Sequence, residues 1–215
     1  MNIANYLEHT NLNENATEED IKKLCEEALE YNFFGVCVYP KYVKLAKSVV
    51  GDKCKVITVI SFPGGNGPSS EKAKNTAKAI ADGADEIDMV INKDLLKEGK
   101  DDLVIKDIKA VVDAANGKLV KVIIEAAELN IKQKERAVKD VMSAGAHIVK
   151  TSTGKSPAGG ATVEDVKLIK SIVGDKLGIK AAGGIRDYKT ALSMINAGAT
   201  RIGCSASINI IIESK

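Results

Sequence analysis

Short apolar runs alternate with longer segments of mixed polarity along almost the whole chain. Seven runs have the length and the β-branched content of buried strands. They span residues 34–38, 56–60, 86–91, 119–124, 147–151, 177–181 and 201–203. A weaker first strand is predicted over residues 6–12.

The segments between these runs have helical periodicity and are rich in Lys, Glu and Ala, as in residues 71–81, 103–114 and 132–143. Thr17 and Thr162, each followed three residues later by Asp, resemble capping boxes that open two helices. Eight strands then alternate with eight helices. This order predicts an α/β fold, a single (β/α)8 TIM barrel of parallel strands over residues 1–215. An open doubly wound sheet is the alternative.

Three lysines interrupt the apolar runs. Most of the 31 Lys and Arg residues lie on polar helix faces, but Lys121, Lys150 and Lys180 lie inside β-branched runs. A buried lysine has a lowered pKa, and its neutral amine can attack a carbonyl carbon. Burying two ammonium groups together is costly, so one of them should lose its proton. The alternative is that each lysine reaches the barrel rim or pairs with a carboxylate.

A repeated spacing indicates which residues meet. Three predicted helices end in a Gly-Ala pair, and the glycines are Gly83, Gly145 and Gly198. Five residues later come Asp88, Lys150 and Gly203. Equal spacing predicts similar depth on the same side of three strands, so an acid, an amine and a phosphate-sized gap would face one another. Lys121 and Lys180 do not fit this spacing.

Glycine clusters follow the last three strands and predict anion sites. They comprise Gly154 with Lys155, Gly183 with Gly184, and Gly203 with Ser205. The second cluster precedes a helix predicted over residues 188–196, where free backbone N–H groups should point outward. Phosphate sites after strands 7 and 8 are common in such barrels. Any one cluster could instead be a tight turn.

Composition narrows the function classes. A net charge of +2 and 4% aromatic residues argue against a nucleic-acid surface. No apolar run has membrane-spanning length and no leader-like segment is present, which favours a cytoplasmic protein. The four cysteines are widely spaced, which indicates buried thiols. His9 and His147 lack ligand-spaced companions, so no metal is expected.

Six stretches, in their order and spacing, resemble the deoxyribose-phosphate aldolase family over nearly the whole chain. They are residues 8–12 (EHTNL), 35–40 (GVCVYP), 83–90 (GADEIDMV), 119–125 (LVKVIIE), 149–154 (VKTSTG) and 180–186 (KAAGGIR). The resemblance implies a class I aldolase without metal or cofactor. Such an enzyme cleaves 2-deoxy-D-ribose 5-phosphate to acetaldehyde and D-glyceraldehyde 3-phosphate, and a homodimer is a possible assembly.

The resemblance also implies residue roles. Lys150 matches the lysine that forms the Schiff base, and Lys180 matches the second lysine, whose charge keeps the first one unprotonated. Asp88 matches the acid that transfers protons with Lys180 and a water, and Lys121 matches a further lysine near the substrate. The residues that match the phosphate site are Gly154, Lys155, Gly183, Gly184, Arg186, Gly203 and Ser205.

Some positions depart from the family pattern. Glu8 stands where many relatives have Asp, Ala126 replaces a threonine, Ala206 replaces a serine, and no tyrosine lies near residue 215. Two other functions stay open. One is a different phosphosugar-binding barrel enzyme, either transaldolase-like or an isomerase. The other is a barrel that binds sugar phosphates without catalysis.

Overall fold

Eight parallel strands close into a barrel in a computed structural model that describes residues 1–215. The strands are β1 (Leu7–Asn11), β2 (Gly35–Val38), β3 (Lys55–Ile60), β4 (Glu86–Val90), β5 (Leu119–Ile123), β6 (Ile148–Lys150), β7 (Gly178–Ala182) and β8 (Arg201–Cys204). Pairing of β1 with β8 closes the ring, so the predicted barrel is confirmed and the open sheet is excluded.

Helices follow the strands and surround the barrel. They are α1 (Glu18–Glu30), α2 (Val43–Val50), α3 (Ser69–Ala81), α4 (Lys93–Lys97), α5 (Asp101–Ala114), α6 (Ile131–Ser143), α7 (Val163–Val173), α8 (Tyr188–Asn196) and α9 (Ser207–Glu213). The short α4 is additional to the eight predicted helices, because the connection after β4 holds two helices. None of the helices has the length and apolar character needed to cross a bilayer.

Local sequence signals explain where the helices begin and end. Thr17 and Asp20 form the predicted capping box at the start of α1, and Thr162 caps α7 by accepting a hydrogen bond from the backbone of Asp165. The helix stops before β4, β6 and β8 are left-handed glycines, which tolerate a positive φ that other residues avoid. Strands β4, β6 and β8 each begin three residues after one of these glycines.

The barrel has an apolar outside and a partly charged inside. Most buried apolar side chains fill the layer between the strands and the helices. Inside the barrel, Leu12, Cys37, Ile57 and Val59 form a separate cluster of 4 buried residues at one side. Buried charged groups occupy much of the remaining interior, together with apolar residues such as Val90 and Ile123. Burial would penalise these charges strongly unless they were paired.

Candidate active site

Four neighbouring strands direct charged side chains to one point inside the barrel. Asp88 on β4 lies opposite Lys121 on β5, and Lys150 on β6 lies opposite Lys180 on β7. The Nζ atoms of Lys150 and Lys180 both donate to Oδ2 of Asp88, at 2.8 and 2.7 Å, and Nζ of Lys121 donates to Oδ1 at 3.0 Å. One carboxylate therefore holds three amines.

Two further carboxylates complete this arrangement, which we call the lysine cluster. Glu8 on β1 accepts a hydrogen bond from Lys180 through Oε2, and its Oε1 lies 3.3 Å from Nζ of Lys121. Glu86 on β4 lies 2.5 Å from the same Nζ. Lys150 has no carboxylate partner except Asp88. The lysine cluster therefore gives Lys121 and Lys180 more negative charge than it gives Lys150.

This difference in charge shifts the pKa values of Lys150 and Lys180 in opposite directions. Burial lowers the pKa of Lys150; Asp88 opposes that effect, and the positive charge of Lys180 adds to it. Burial also acts to lower the pKa of Lys180, but the charges of Asp88 and Glu8 outweigh it and hold this pKa well above its ordinary value. Lys150 is therefore the amine that most readily loses its proton.

Asp88 and Lys121 remain charged beneath Lys150. Burial alone would raise the pKa of Asp88, but the surrounding ammonium groups hold it well below its ordinary value. Burial alone would lower the pKa of Lys121, but Asp88 and Glu8 raise it. Removing one partner of such a buried ion pair strongly destabilises the protein, because the other charge is left buried without a counter-charge. The network therefore holds Asp88 in place as an anion.

A cavity of about 700 Å³ opens above the lysine cluster at the carboxyl ends of the strands. Lys150 lines it, whereas Asp88, Lys121 and Lys180 do not and are 0% exposed. The cavity is also lined by all seven residues that match the phosphate site, namely Gly154, Lys155, Gly183, Gly184, Arg186, Gly203 and Ser205. Lys121, which we expected near the substrate, lies below the cavity instead.

Gly203 has a second local role besides the one its spacing suggests. A Cβ atom at this position would lie 2.7 Å from Cε of Lys180, so the missing side chain makes room for that lysine as well as opening the cavity. Asp88 and Lys150 do lie together, as the equal spacing predicts. Lys121 and Lys180 join them although their spacing from a glycine differs. The connections before β5 and β7 have four residues, like those before β4 and β6, and only the position of the glycine within them differs, so each of these side chains is the third residue of its strand.

The anion site predicted at the start of α8 needs a correction. Gly183 and Gly184 have positive φ, as a tight turn requires, but the helix that follows is already capped. Asp187 accepts a hydrogen bond from the backbone N–H of Thr190 at 2.7 Å, which occupies a group that an anion would use. By contrast, α9 follows Ser205 closely and has no side-chain cap.

Three glycines join two of the loops that enclose the cavity. A Cβ atom on Gly183 would lie 3.0 Å from Cα of Gly160 and 3.2 Å from Cα of Gly154. The backbone N–H of Ala161 donates to the carbonyl oxygens of Ala182 and Gly183, each at 3.1 Å. The loop after β6 therefore packs directly on the end of β7, which only residues without side chains permit.

Sequence reasoning missed the contribution of β1. Alternation along this strand turns Glu8 inward to Lys180 and His9 outward to α1, where Nε2 lies 3.0 Å from Oε2 of Glu27. His9 and Glu27 line one end of the cavity. The sequence of β1 is mostly polar, so Glu8 does not stand out in it, and its partner Lys180 lies on β7. His147, directly before β6, is exposed.

Comparisons with known proteins agree with this geometry. The model of a family described as DeoC/LacD family aldolase matches residues 3–211. The deoxyribose-phosphate aldolase of Alkaliphilus oremlandii is 56% identical over 217 aligned positions, which cover 100% of this chain and 97% of that protein. That of Thermococcus gammatolerans is 52% identical and covers 98% of this chain and 96% of that one.

The fold of a solved relative is also similar. A deoxyribose phosphate aldolase from Aeropyrum pernix, described as having a unique tetrameric structure, superposes with a TM-score of 0.91. It is 32% identical, and the match covers 98% of this chain and 89% of that one. The resemblance noted from the motifs is thus confirmed over the whole barrel. The chain belongs to the DeoC/LacD family of aldolases.

Proposed function

We propose that the protein cleaves 2-deoxy-D-ribose 5-phosphate to acetaldehyde and D-glyceraldehyde 3-phosphate, reversibly, through a Schiff base on Lys150. The observation that carries the proposal is that three amines bind one carboxylate, yet only Lys150 reaches the cavity. The name and the identity of the curated relatives support the same substrate. A buried amine with a lowered pKa is the nucleophile that this chemistry needs.

The reaction begins when the neutral amine of Lys150 attacks the C1 aldehyde of the open-chain sugar. Loss of water gives an iminium ion, which attracts electrons from C2. The C3 hydroxyl then loses its proton, C3 becomes the aldehyde carbon of glyceraldehyde 3-phosphate, and the C2–C3 bond electrons form an enamine. Protonation of C2 and hydrolysis of the iminium release acetaldehyde and restore Lys150. Every proton taken up in one step is returned in another.

Asp88 takes the proton of the C3 hydroxyl through a water, because its carboxylate lies beneath Lys150 and does not line the cavity. The charges that surround it hold its pKa low in the resting enzyme. When the enamine forms, the positive charge on the Lys150 nitrogen disappears. The pKa of Asp88 then rises in the same step that releases a proton. Lys180 keeps its charge throughout, because Glu8 is its second partner.

The phosphate group lies at the opposite end of the cavity, against the loops after β6, β7 and β8. Lys155 and Arg186 supply positive charge there, and glycine backbones such as Gly183 let an anion approach their N–H groups. Holding the phosphate fixes C1 against Lys150 and reduces the entropic part of the barrier. Lys121 acts on Asp88 and not on the substrate, since it contacts only carboxylates of the lysine cluster.

The test is reduction by borohydride in the presence of acetaldehyde, followed by mass spectrometry of peptides. The proposal expects an ethyl group on Lys150 and none on Lys121 or Lys180. A sugar-phosphate isomerase or a non-catalytic binding protein would give no adduct at all. A transaldolase-like enzyme would be trapped by a ketose phosphate donor and would release no acetaldehyde from 2-deoxyribose 5-phosphate. An adduct at Lys180 would contradict the assignment.

We also propose a homodimer in the cytoplasm. Four unpaired, buried cysteines support a reducing compartment. The solved relative from Aeropyrum pernix is described as having a tetrameric structure. Sedimentation equilibrium at micromolar concentration distinguishes a dimer from a monomer or a tetramer.

A further inference from the structure

Glu125, two residues after the end of β5, is a buried carboxylate without a basic partner. Its side chain is 1% exposed, and no lysine, arginine or histidine lies within ion-pair distance of it. Its backbone adopts a left-handed conformation, with φ of 52° and ψ of 58°, which is unfavourable for a residue with a side chain. A charged group in such a place requires strong hydrogen-bond donors.

Thr153 in the loop after β6 supplies all of these donors. Its hydroxyl donates to Oε2 of Glu125 at 2.5 Å, and its backbone N–H donates to Oε1 at 3.1 Å. Because the hydroxyl hydrogen is used in this way, a lone pair of Oγ1 remains for another donor. The backbone N–H of Lys155 occupies it at 3.0 Å. A chain of hydrogen bonds therefore runs from Glu125 through Thr153 to Lys155.

This chain ends at the wall of the cavity. Thr153, Gly154 and Lys155 all line it, and Gly154 packs against Gly183 on the other side of the loop. The loop is thus held from β7 by the glycine contact and from β5 by Glu125. Without Glu125, no hydrogen bond from the β5 side would reach Thr153, Gly154 or Lys155, because Glu128 holds only Ser156, the next residue of the loop.

We propose that Glu125 is a positioning residue that fixes the loop of Thr153, Gly154 and Lys155 for binding of the substrate phosphate. This inference rests on the proposed function, because it takes the phosphate to bind at that loop. The carboxylate orients the Thr153 hydroxyl, the hydroxyl orients the Lys155 backbone, and the loop then presents Lys155 to the phosphate. Glu125 does not line the cavity, so it acts only through the loop.

The test is the variant Glu125→Gln, which keeps the shape but replaces one acceptor oxygen by an NH2 group. Either the hydroxyl or the backbone N–H of Thr153 then faces a donor. We expect the KM for 2-deoxyribose 5-phosphate to rise about tenfold, the size of one lost charged hydrogen bond, while kcat stays nearly constant. We expect kcat/KM for unphosphorylated 2-deoxyribose to be unchanged, since that substrate does not use the loop.

Thr153→Val provides an independent variant in case Glu125→Gln does not fold. It removes the same hydroxyl and should raise the same KM. Because both changes break one chain of hydrogen bonds, the KM of the double variant should not exceed that of the single variant with the higher KM. Glu128→Gln is the matched control: Glu128 also accepts from a hydroxyl of this loop, that of Ser156 at 3.0 Å, but does not line the cavity. Its kinetics should equal those of the wild type.

Two results would overturn the inference. One is an unchanged KM in both Glu125→Gln and Thr153→Val. The other is an equal loss with the phosphorylated and the unphosphorylated sugar, which would mean that Glu125 serves only general folding. Failure of the proposed function itself is recognised separately, because the wild type would then not cleave 2-deoxyribose 5-phosphate and Lys150 would not be trapped by acetaldehyde.

Discussion

Replacing Lys180 by methionine removes one buried positive charge from the lysine cluster and keeps an unbranched side chain of similar length. The change has two consequences for Lys150. It removes the repulsion between two ammonium groups, and it leaves Oδ2 of Asp88 to Lys150 alone. Both favour the protonated form of Lys150, so the pKa of Lys150 should rise and the attack on the aldehyde should slow.

The structure sets the size of the effect. Both Nζ atoms contact the same oxygen, at 2.8 and 2.7 Å, so they are at most about 5.5 Å apart. At about this separation two unit charges repel by about 3 kcal/mol if the effective dielectric constant is about 20. That energy corresponds to roughly a hundredfold decrease in the neutral fraction of Lys150. We expect kcat at pH 7 to fall by a similar factor.

The assay is the pH dependence of kcat between pH 6 and pH 10, with the release of glyceraldehyde 3-phosphate as readout. The acid limb of the profile should move to higher pH in Lys180→Met, and activity should partly recover at pH 10. Lys121→Met is the matched control, because Lys121 binds the other oxygen of Asp88 and should move the limb much less. A wild-type profile in Lys180→Met, or an equal shift in both variants, would refute the reasoning.

Three other substitutions test separate parts of the structure. Lys150→Ala should abolish both turnover and borohydride trapping with acetaldehyde; residual turnover above about 1% of the wild-type rate would argue against covalent catalysis on this lysine. Gly203→Ala should displace Lys180, since the new Cβ would lie 2.7 Å from Cε, and kcat should fall while circular dichroism shows an intact fold. Asp140→Asn should stabilise the protein at pH 7.5 but not at pH 4, by about 1 kcal/mol in urea unfolding after allowance for solvent screening. Burial raises the pKa of Asp140 to about 6, so its contribution to stability is present below its unfolded pKa and is lost as pH rises through the folded value. An equal effect of Asp140→Asn at both pH values would contradict this linkage.

The barrel follows from local features of the sequence. Strand positions are marked by apolar runs, and the starts of the strands by left-handed glycine stops and capped helices, all of which depend on residues close together in the chain. The equal distance from Gly83 to Asp88 and from Gly145 to Lys150 correctly places an acid beside an amine. This spacing works because the loops between those glycines and their strands have equal length.

The same reasoning could not find partners on distant strands. Glu8 and Lys180 are 172 residues apart in the chain, and only closure of β1 against the end of the sheet brings them together. The helix start after Gly184 was predicted to be open, whereas Asp187 caps it. Lys121 was placed near the substrate by resemblance alone, but three carboxylates surround it below the cavity. Pairing across a barrel depends on register, which the apolar pattern does not specify.

The central claim is that Lys150 loses its proton more easily than the lysines beside it. The most direct measurement is a 13C NMR titration of protein with labelled lysine Cε atoms, with the Lys150 signal assigned by its absence in Lys150→Met. We predict that Lys150 titrates below the ordinary range for lysine, while the signal of Lys180 remains that of an ammonium group to the highest pH at which the fold persists. A Lys150 signal that stays that of an ammonium group up to pH 10 would contradict the account.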